Sequence, residues 1–197
     1  MKILVALVAA LAPATQSAPV VAAGPQVQLF REMGAALPPA LEDVVTNRPL
    51  LPELHGKAVL VSFIAGTCRE TCPLTEAKFA AIQSDLARDG DLGRVRLVLV
   101  TVDPLADTPA RLRALAHKLG ARPGTFALAT GSPQAVARVL RAYDIEVRFN
   151  GGSRIDPDHT VALYLIDPTW HVRYDFGPAY PSAAIARLTN RFVRFGR

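Results

Sequence analysis

GKAVLVSFIAGTCRETCPLTEAKFAAIQSDLAR, residues 56–88, changes from a strand pattern to a helix pattern across a pair of cysteines. Residues 59–64 form an apolar run rich in β-branched side chains, which is typical of a strand buried on both faces. From about residue 73 to residue 88 apolar side chains recur at helical spacing, and Gly90 follows as a stop signal. The sequence therefore predicts that Cys68 and Cys72 lie where a buried strand gives way to the N-terminus of a helix.

The remainder of the chain continues this alternation of strand and helix patterns. Strands are predicted at residues 95–102, 125–130, 161–167 and 171–176, and helices at residues 107–119, 132–143 and 182–194. Asp107 or Thr108 is the expected cap of the first of these helices and Ser132 of the second, while "NGG" at residues 150–152 is a hairpin signal. This order predicts an α/β, thioredoxin-like fold, with a βαβ half and a ββα half in one sheet covered by helices on both faces.

The N-terminal segment has the pattern of a secretory signal peptide. Lys2 precedes the apolar run 3–12, and small residues lead to a predicted cleavage after Ala23. The run is shorter than the ~20 residues that a membrane-spanning helix needs. We therefore expect a signal peptide at residues 1–23, an extended, proline-rich lead-in at 24–56 and a thioredoxin-like domain at 57–197. Export predicts a location in the bacterial periplasm, at the inner membrane if the segment is not cleaved.

The charge of the chain does not indicate a nucleic-acid-binding protein. The formal net charge is +5, but the arginines are scattered, without a basic run or interleaved aromatic residues. An exported protein also meets little nucleic acid, so we expect none as a partner. A basic surface that attracts acidic proteins is the simpler interpretation.

The two cysteines leave three kinds of chemistry open: a redox pair, a permanent disulfide, and part of a metal site. The partial positive charge of a helix N-terminus favours thiolate over thiol, which improves both a nucleophile and a metal ligand. Arg69 between the cysteines acts in the same direction, and Glu70 opposes it. The three-residue spacing departs from the two-residue spacing of the thioredoxin redox motif.

Two thiolates on one turn suit Cu(I) best among first-row metals and Zn(II) next. A structural zinc site would need two histidines as further ligands. His117 is expected on a solvent-facing helix surface, His171 at the edge of the last hairpin, and His55 at the end of the sheet opposite the cysteines. His159 precedes a strand that should start beside the cysteines, so it can reach both sulfurs. Asp158 is a candidate to orient that histidine, or else an ordinary turn residue.

Four stretches, "CRETCP", "TVDPLADTP", "TGSPQAVARVLRAY" and "DHTVALYLID", resemble in order and spacing the Sco/SenC family of copper-binding, thioredoxin-like proteins. The resemblance covers about residues 56–176. It implies that Cys68, Cys72 and His159 stand at copper-ligand positions. It also implies a role in delivering copper to the CuA site of cytochrome c oxidase subunit II, or in reducing the cysteines of that site. Arg69 departs from the family, in which many members have proline after the first cysteine.

These residues leave three candidate functions. The first is a metallochaperone that holds Cu(I), and also Cu(II), and depends on a thioredoxin-like thiol reductase to keep its cysteines reduced. The second is a thiol-disulfide oxidoreductase in which Cys68 attacks a partner's disulfide and Cys72 resolves the mixed disulfide; only this function would make the protein an enzyme. The third is a binding module with a permanent disulfide. The stretch "DPLADTP", with Asp103 and Asp107, is assigned to helix capping and to no catalytic role.

Overall fold

A computed structural model of the chain describes residues 31–32, 40–68, 72–149, 151 and 154–196. The strands are β1 (Arg31–Glu32), β2 (Leu41–Asp43), β3 (Arg48–Pro49), β4 (Ala58–Ile64), β5 (Val95–Thr101), β6 (Phe126–Gly131), β7 (Val147–Arg148), β8 (Asp158–His159), β9 (Leu163–Ile166) and β10 (His171–Phe176). The α-helices are α1 (Cys72–Arg88), α2 (Pro109–Lys118), α3 (Pro133–Ala142) and α4 (Ser182–Phe195). Short 3₁₀ helices span Leu51–Leu54 and Leu92–Arg94. The predicted signal peptide lies outside the described residues.

Eight of these strands form one sheet in the order β1-β10-β9-β4-β5-β6-β2-β3. β4, β5 and β6 are parallel neighbours, and β9 runs antiparallel to β4. The βαβ half is β4, α1 and β5, and the ββα half is β9, β10 and α4. The α/β fold predicted from the sequence is therefore confirmed.

Burial explains why β4 and β5 read as apolar runs. Every residue of both strands is buried, which requires that elements cover both faces of the sheet. α1 packs against α4, and the ring of Phe79 in α1 lies 5.8 Å from that of Phe126 in β6. In the described part of the chain, no helix combines the length and apolarity needed to cross a membrane.

The described part of the lead-in contributes strands that the sequence did not predict. β2 pairs antiparallel with β6, and β3 pairs with β2, so this segment extends the sheet beyond β6. Leu41, Leu50 and Leu54 are buried in the same core as the central strands. β2 has three residues and β3 has two, one of them a proline, so both are too short to show a period of two along the sequence.

Helix caps followed the sequence at two of the predicted positions. The Ser132 hydroxyl accepts the Ala135 N–H at the start of α3, and the Thr108 hydroxyl accepts the Arg111 N–H at the start of α2. Asp107, the alternative cap of α2, is fully buried and makes different contacts. The hairpin expected around "NGG" is present as β7 and β8, although Asn150 and Gly152 lie outside the described residues.

The antiparallel pairing of β9 with β4 brings distant segments together at one end of the sheet. Ser62, near the end of β4, pairs with Leu163 at the start of β9, and its hydroxyl donates to the Ala162 carbonyl at 2.6 Å. The cysteine segment leaves this end of β4, and the histidine of β8 enters it shortly before β9. The sheet register therefore sets Cys68, Cys72 and His159 near one another.

Candidate functional site

The loop after β4 turns sharply into the cysteines. The Cys68 N–H donates to the Ala65 carbonyl at 2.9 Å, which closes a tight turn. The Gly66 N–H donates to the Asp107 carboxylate at 2.8 Å, and a side chain at Gly66 would meet that carboxylate at 2.7 Å. Glycine is required here because the backbone and the buried carboxylate approach too closely for a Cβ.

Cys72 is the first residue of α1, and Cys68 lies in the loop that precedes this helix. The Cys72 N–H, one of the unpaired amides at the helix N-terminus, donates to Cys68 Sγ at 3.3 Å. Cys72 Sγ accepts the Ala65 N–H at 3.5 Å. Cys72 is 2% exposed, Cys68 is half-buried, and neither cysteine forms a disulfide. Cys68 is thus the more accessible sulfur, as the sequence predicted.

The charge environment of Cys72 differs from the sequence expectation that the helix N-terminus favours both thiolates. Burial raises the pKa of the Cys72 thiol well above its usual range, and the hydrogen bond with Cys68 raises it further. The Ala65 amide lowers this pKa, but by less than burial raises it. Arg69 and Glu70, whose charges act on the thiolates in opposite directions, lie outside the described residues.

His159 lies against the buried cysteine. Its Nε2 is 3.4 Å from Cys72 Sγ, and its Nδ1 is 3.0 Å from the Thr160 carbonyl. A carbonyl oxygen only accepts, so the Thr160 contact selects the tautomer in which Nδ1 carries the proton. In the neutral imidazole, Nε2 then presents its lone pair to the sulfur side of the ring, which is the arrangement that a metal-binding histidine uses.

The orienting role of Asp158 stays a prediction, and the structure shows a backbone partner for the His159 ring. The Nδ1 contact of His159 goes to the Thr160 carbonyl, and the Asp158 side chain is exposed in β8, opposite Arg148 of β7. A backbone carbonyl is a common partner for a metal-ligating histidine. The sequence could not identify it, because every residue carries a carbonyl and only the fold selects one.

The remaining histidines lie where the sequence placed them. His117 is exposed on α2. His55 precedes β4, whereas the cysteines follow it, so His55 is at the opposite end of the sheet. His171 begins β10 at that same distant end, and its Nδ1 lies 2.9 Å from the Thr169 hydroxyl.

The donor set is chemically suited to a soft metal. Two thiols and one neutral imidazole match the preferences of Cu(I), and a low coordination number leaves room for exchange. Among the described residues, however, no group of three histidine, cysteine, aspartate or glutamate side chains is arranged so that it could hold a metal ion as it stands. Metal binding would therefore require the donor side chains to shift toward one another.

The sequence did not predict the polar network that lies beneath the cysteine loop. The buried Asp107 carboxylate accepts the Gly66 N–H and, at 2.6 Å, the Thr101 hydroxyl. Thr101 in turn accepts the Asp103 N–H at 3.0 Å. "DPLADTP" therefore anchors the cysteine loop as well as starting α2. An aspartate next to a capping threonine was the only signal in the sequence, and capping explained it equally well.

Asp107 should make the stability of the protein depend on pH. Burial raises the pKa of this carboxyl, more than its hydrogen bonds with Gly66 and Thr101 lower it, so the folded protein holds the proton more tightly than the unfolded chain. The contribution of Asp107 is then fully present below its unfolded pKa and is lost as pH rises through the folded pKa. We expect Asp107→Asn, which does not titrate, to gain free energy of unfolding relative to the wild type as pH rises from about 4 toward neutrality. Urea denaturation across this range tests it, and a pH-independent difference would contradict it.

Comparison with known proteins finds a family model and related sequences. The family model described as SCO1/SenC matches residues 48–194. Over 121 residues the chain is 29% identical to "Protein SCO2 homolog, mitochondrial" of Bos taurus and 30% identical to that of Mus musculus. These matches cover 59% of this chain and 44% and 46% of those proteins, so the chain spans less than half the length of the curated relatives it matches.

Solved structures share the fold. Bradyrhizobium japonicum ScoI with copper bound superposes with a TM-score of 0.66 at 22% identity, over 77% of this chain and 95% of that one. Yeast Sco1 with copper bound gives a TM-score of 0.66 at 21% identity, over 79% and 86%. BsSco, described as having a disulfide switch and as a member of the Sco family of cytochrome c oxidase assembly proteins, gives 0.64 at 22%, over 79% and 91%.

Proposed function

Because the chain belongs to the SCO1/SenC family, we propose that it is an exported copper metallochaperone that binds Cu(I) through Cys68, Cys72 and His159. The observation that carries this proposal is the 3.4 Å approach of His159 Nε2 to Cys72 Sγ, next to a second, more accessible thiol. Cu(II) is a second state that the same donors would hold. The function is delivery of copper during assembly of the CuA site of cytochrome c oxidase.

Each of the three side chains has a distinct part in the proposed transfer. Cys68, half-buried, is the sulfur that an incoming client ligand reaches first. Cys72, which is buried, and the adjacent His159 retain the ion while Cys68 is exchanged. Thiols bind metal as thiolates, so loading releases the Cys72 proton. Because burial raises the pKa of Cys72, copper affinity should increase with pH.

The client in this proposal is cytochrome c oxidase subunit II or a similar copper-accepting protein. Among the described residues five large hydrophobic side chains are exposed, and four of them lie in the segments that flank the cysteines and His159. They are Leu74 in α1, Leu105 after β5, and Phe149 and Ile155 between β7 and β8. Exposed apolar groups in one region favour contact with a protein. A thioredoxin-like thiol reductase in the periplasm would keep the cysteines reduced.

Thiol-disulfide exchange with a partner protein is the second candidate function. It is favoured by the Cys72 N–H donated to Cys68 Sγ, because an amide donor stabilises a thiolate nucleophile. Cys68 would attack the partner's disulfide, forming a mixed disulfide and releasing one partner thiolate. Cys72 would then attack the Cys68 sulfur, leaving a disulfide in this protein and a second thiol in the partner.

Anaerobic Cu(I) titration of the reduced protein against a competing chelator separates the two functions. We expect one tight equivalent, lost in Cys68→Ser and Cys72→Ser. His159→Ala should weaken binding by about a hundredfold or more, because loss of even a ligand's hydrogen-bonding partner costs roughly 10- to 100-fold. The same variant should still exchange disulfides. His117→Ala, altered on the exposed face of α2, is the matched control and should bind as the wild type does.

Copper binding that is weak and indifferent to His159 would overturn the chaperone proposal and leave thiol exchange as the function. Equal loss of copper binding and of disulfide exchange in His159→Ala would instead contradict the division of roles between the imidazole and the thiols.

A further inference from the structure

Arg154, in the loop between β7 and β8, contacts three separate parts of the fold. Its guanidinium NH1 lies 2.5 Å from Asp103 Oδ1, just after β5. Its backbone carbonyl accepts the Thr67 hydroxyl at 3.0 Å, next to Cys68. Its guanidinium also lies over the Phe149 ring, 5.0 Å from the centroid, at the other side of its own loop.

Asp103 is a rigid anchor for this arginine. Its side chain is 1% exposed, and Oδ1 also accepts the N–H groups of Leu105 and Ala106 at 3.2 and 3.3 Å. Hydrogen bonds from two backbone N–H groups hold this carboxylate in place, so it cannot move together with the arginine side chain. The Arg154 ion pair therefore fixes the loop to the end of β5, and does not merely join two mobile surface chains.

The hairpin that carries His159 needs such an anchor. β7 and β8 pair through two residue positions, Val147 with His159 and Arg148 with Asp158. A hairpin of this length is not stable by itself in water, so its position depends on tertiary contacts. Arg154 supplies contacts to the loop that carries Cys68 and to the strand end beside it.

We propose that Arg154 is a positioning residue that holds the His159-bearing hairpin against the cysteine loop and so keeps His159 Nε2 beside Cys72 Sγ. The inference rests on the proposed function for its consequence in copper binding, but the positioning itself is a property of the metal-free protein. With Arg154 paired, the site offers two sulfurs and an imidazole. Without it, the hairpin separates from the cysteine loop and the site is left with two thiols, which suits disulfide exchange better than metal retention.

The test uses Arg154→Ala, Arg154→Lys and the control Arg148→Ala. Arg148 lies on the same hairpin, but its ion pair is with Glu146, two residues away, and both side chains are mostly exposed. The first readout is the nuclear Overhauser effect between the His159 ring protons and the Cys72 β protons in the reduced, metal-free protein. The second is Cu(I) affinity against a competing chelator.

We expect Arg154→Ala to lose most of the His159–Cys72 signal and to bind Cu(I) roughly tenfold more weakly, which is the lower range for residues that orient a metal ligand. Arg154→Lys should recover part of both, because lysine keeps the charge but not the planar, directional pairing or the stacking on Phe149. Arg148→Ala should match the wild type in both readouts. At high salt the wild type should show the same weaker signal and weaker Cu(I) binding as Arg154→Ala, because the arginine is half-exposed and salt screens its ion pair.

A His159–Cys72 signal of wild-type strength in Arg154→Ala overturns the positioning role. An equal loss of this signal in Arg148→Ala also overturns it, because any disturbance of the hairpin would then suffice. If His159→Ala binds copper as tightly as the wild type, the proposed function fails, yet the nuclear Overhauser effect still decides whether Arg154 positions the imidazole.

Discussion

Arg96→Ala is expected to lower the free energy of unfolding by about 3–5 kcal/mol, because it leaves buried carboxylates without their cation. Arg96 is in β5 and its side chain is fully buried. One guanidinium nitrogen lies 2.7 Å from Asp43 and 2.5 Å from Glu53. The Thr46 hydroxyl contacts the same two carboxylates, both at 3.1 Å. These contacts attach the N-terminal strands to the central sheet.

The expected loss is a large share of the ~5–15 kcal/mol by which domains are usually stable. Urea denaturation monitored by circular dichroism measures it. Arg88→Ala, which removes an exposed arginine paired with Asp85 on α1, is the matched control and should cost about 0.5 kcal/mol or less. Adding Asp43→Asn and Glu53→Gln to Arg96→Ala should recover part of the stability, because these substitutions remove the negative charges that Arg96→Ala leaves unpaired.

A cost for Arg96→Ala no larger than that of Arg88→Ala would mean that the cluster adds nothing to folding. Arg96 lies near the start of β5, whereas the cysteine loop contacts the region after its end. The Cu(I) affinity of the folded variant should therefore remain that of the wild type. A weakened affinity would show that the two ends of the sheet are coupled.

Gly66→Ala is expected to destabilise the protein by about 1–3 kcal/mol, the usual cost of overpacking a filled site, and to weaken the metal site as well. The new Cβ would lie 2.7 Å from Asp107 Oδ1 and 3.2 Å from its Cγ. Asp107 is fully buried and hydrogen-bonded to Thr101, so its carboxylate cannot rotate away from the new Cβ. The loop itself must shift, which breaks the bond from the Gly66 N–H to Asp107 and moves Cys68 relative to His159.

Gly93→Ala is the matched control, because a Cβ at Gly93 meets nothing within 4 Å. Denaturation midpoints and Cu(I) affinity are measured for both variants. Removing the carboxylate in the Gly66→Ala, Asp107→Ala double variant should relieve the clash, giving a coupling of about 0.5–3 kcal/mol in a double-mutant cycle. Stability and affinity unchanged in Gly66→Ala, or strictly additive costs, would contradict the proposed close approach.

The order of elements and the fold class could be predicted because they follow from patterns among residues that are close together in the sequence. β4 and β5 are buried on both faces, and that produced runs that are apolar except at Ser62, Arg96 and Thr101. Ser132 and Thr108 cap helices through amides three residues away, so their roles are visible locally. The short strands β2 and β3 gave no such signal: β3 is exposed, and the burial of β2 comes from β6 and Arg96, far along the chain.

The sequence alone determined the fold class, the position of Cys68 and Cys72 at a helix N-terminus, and which of the four histidines lies near them, His159. Periodicity, helix caps and the order of the strands are visible along the sequence. Once the fold is known, that order shows which elements lie next to one another in space. Only the tertiary structure decided that Cys72 is buried with a raised pKa and that Asp107 supports Gly66. It alone also decided that Arg154 joins the two site-bearing loops. These features depend on desolvation and on contacts between residues 41 to 87 positions apart, which no local pattern records.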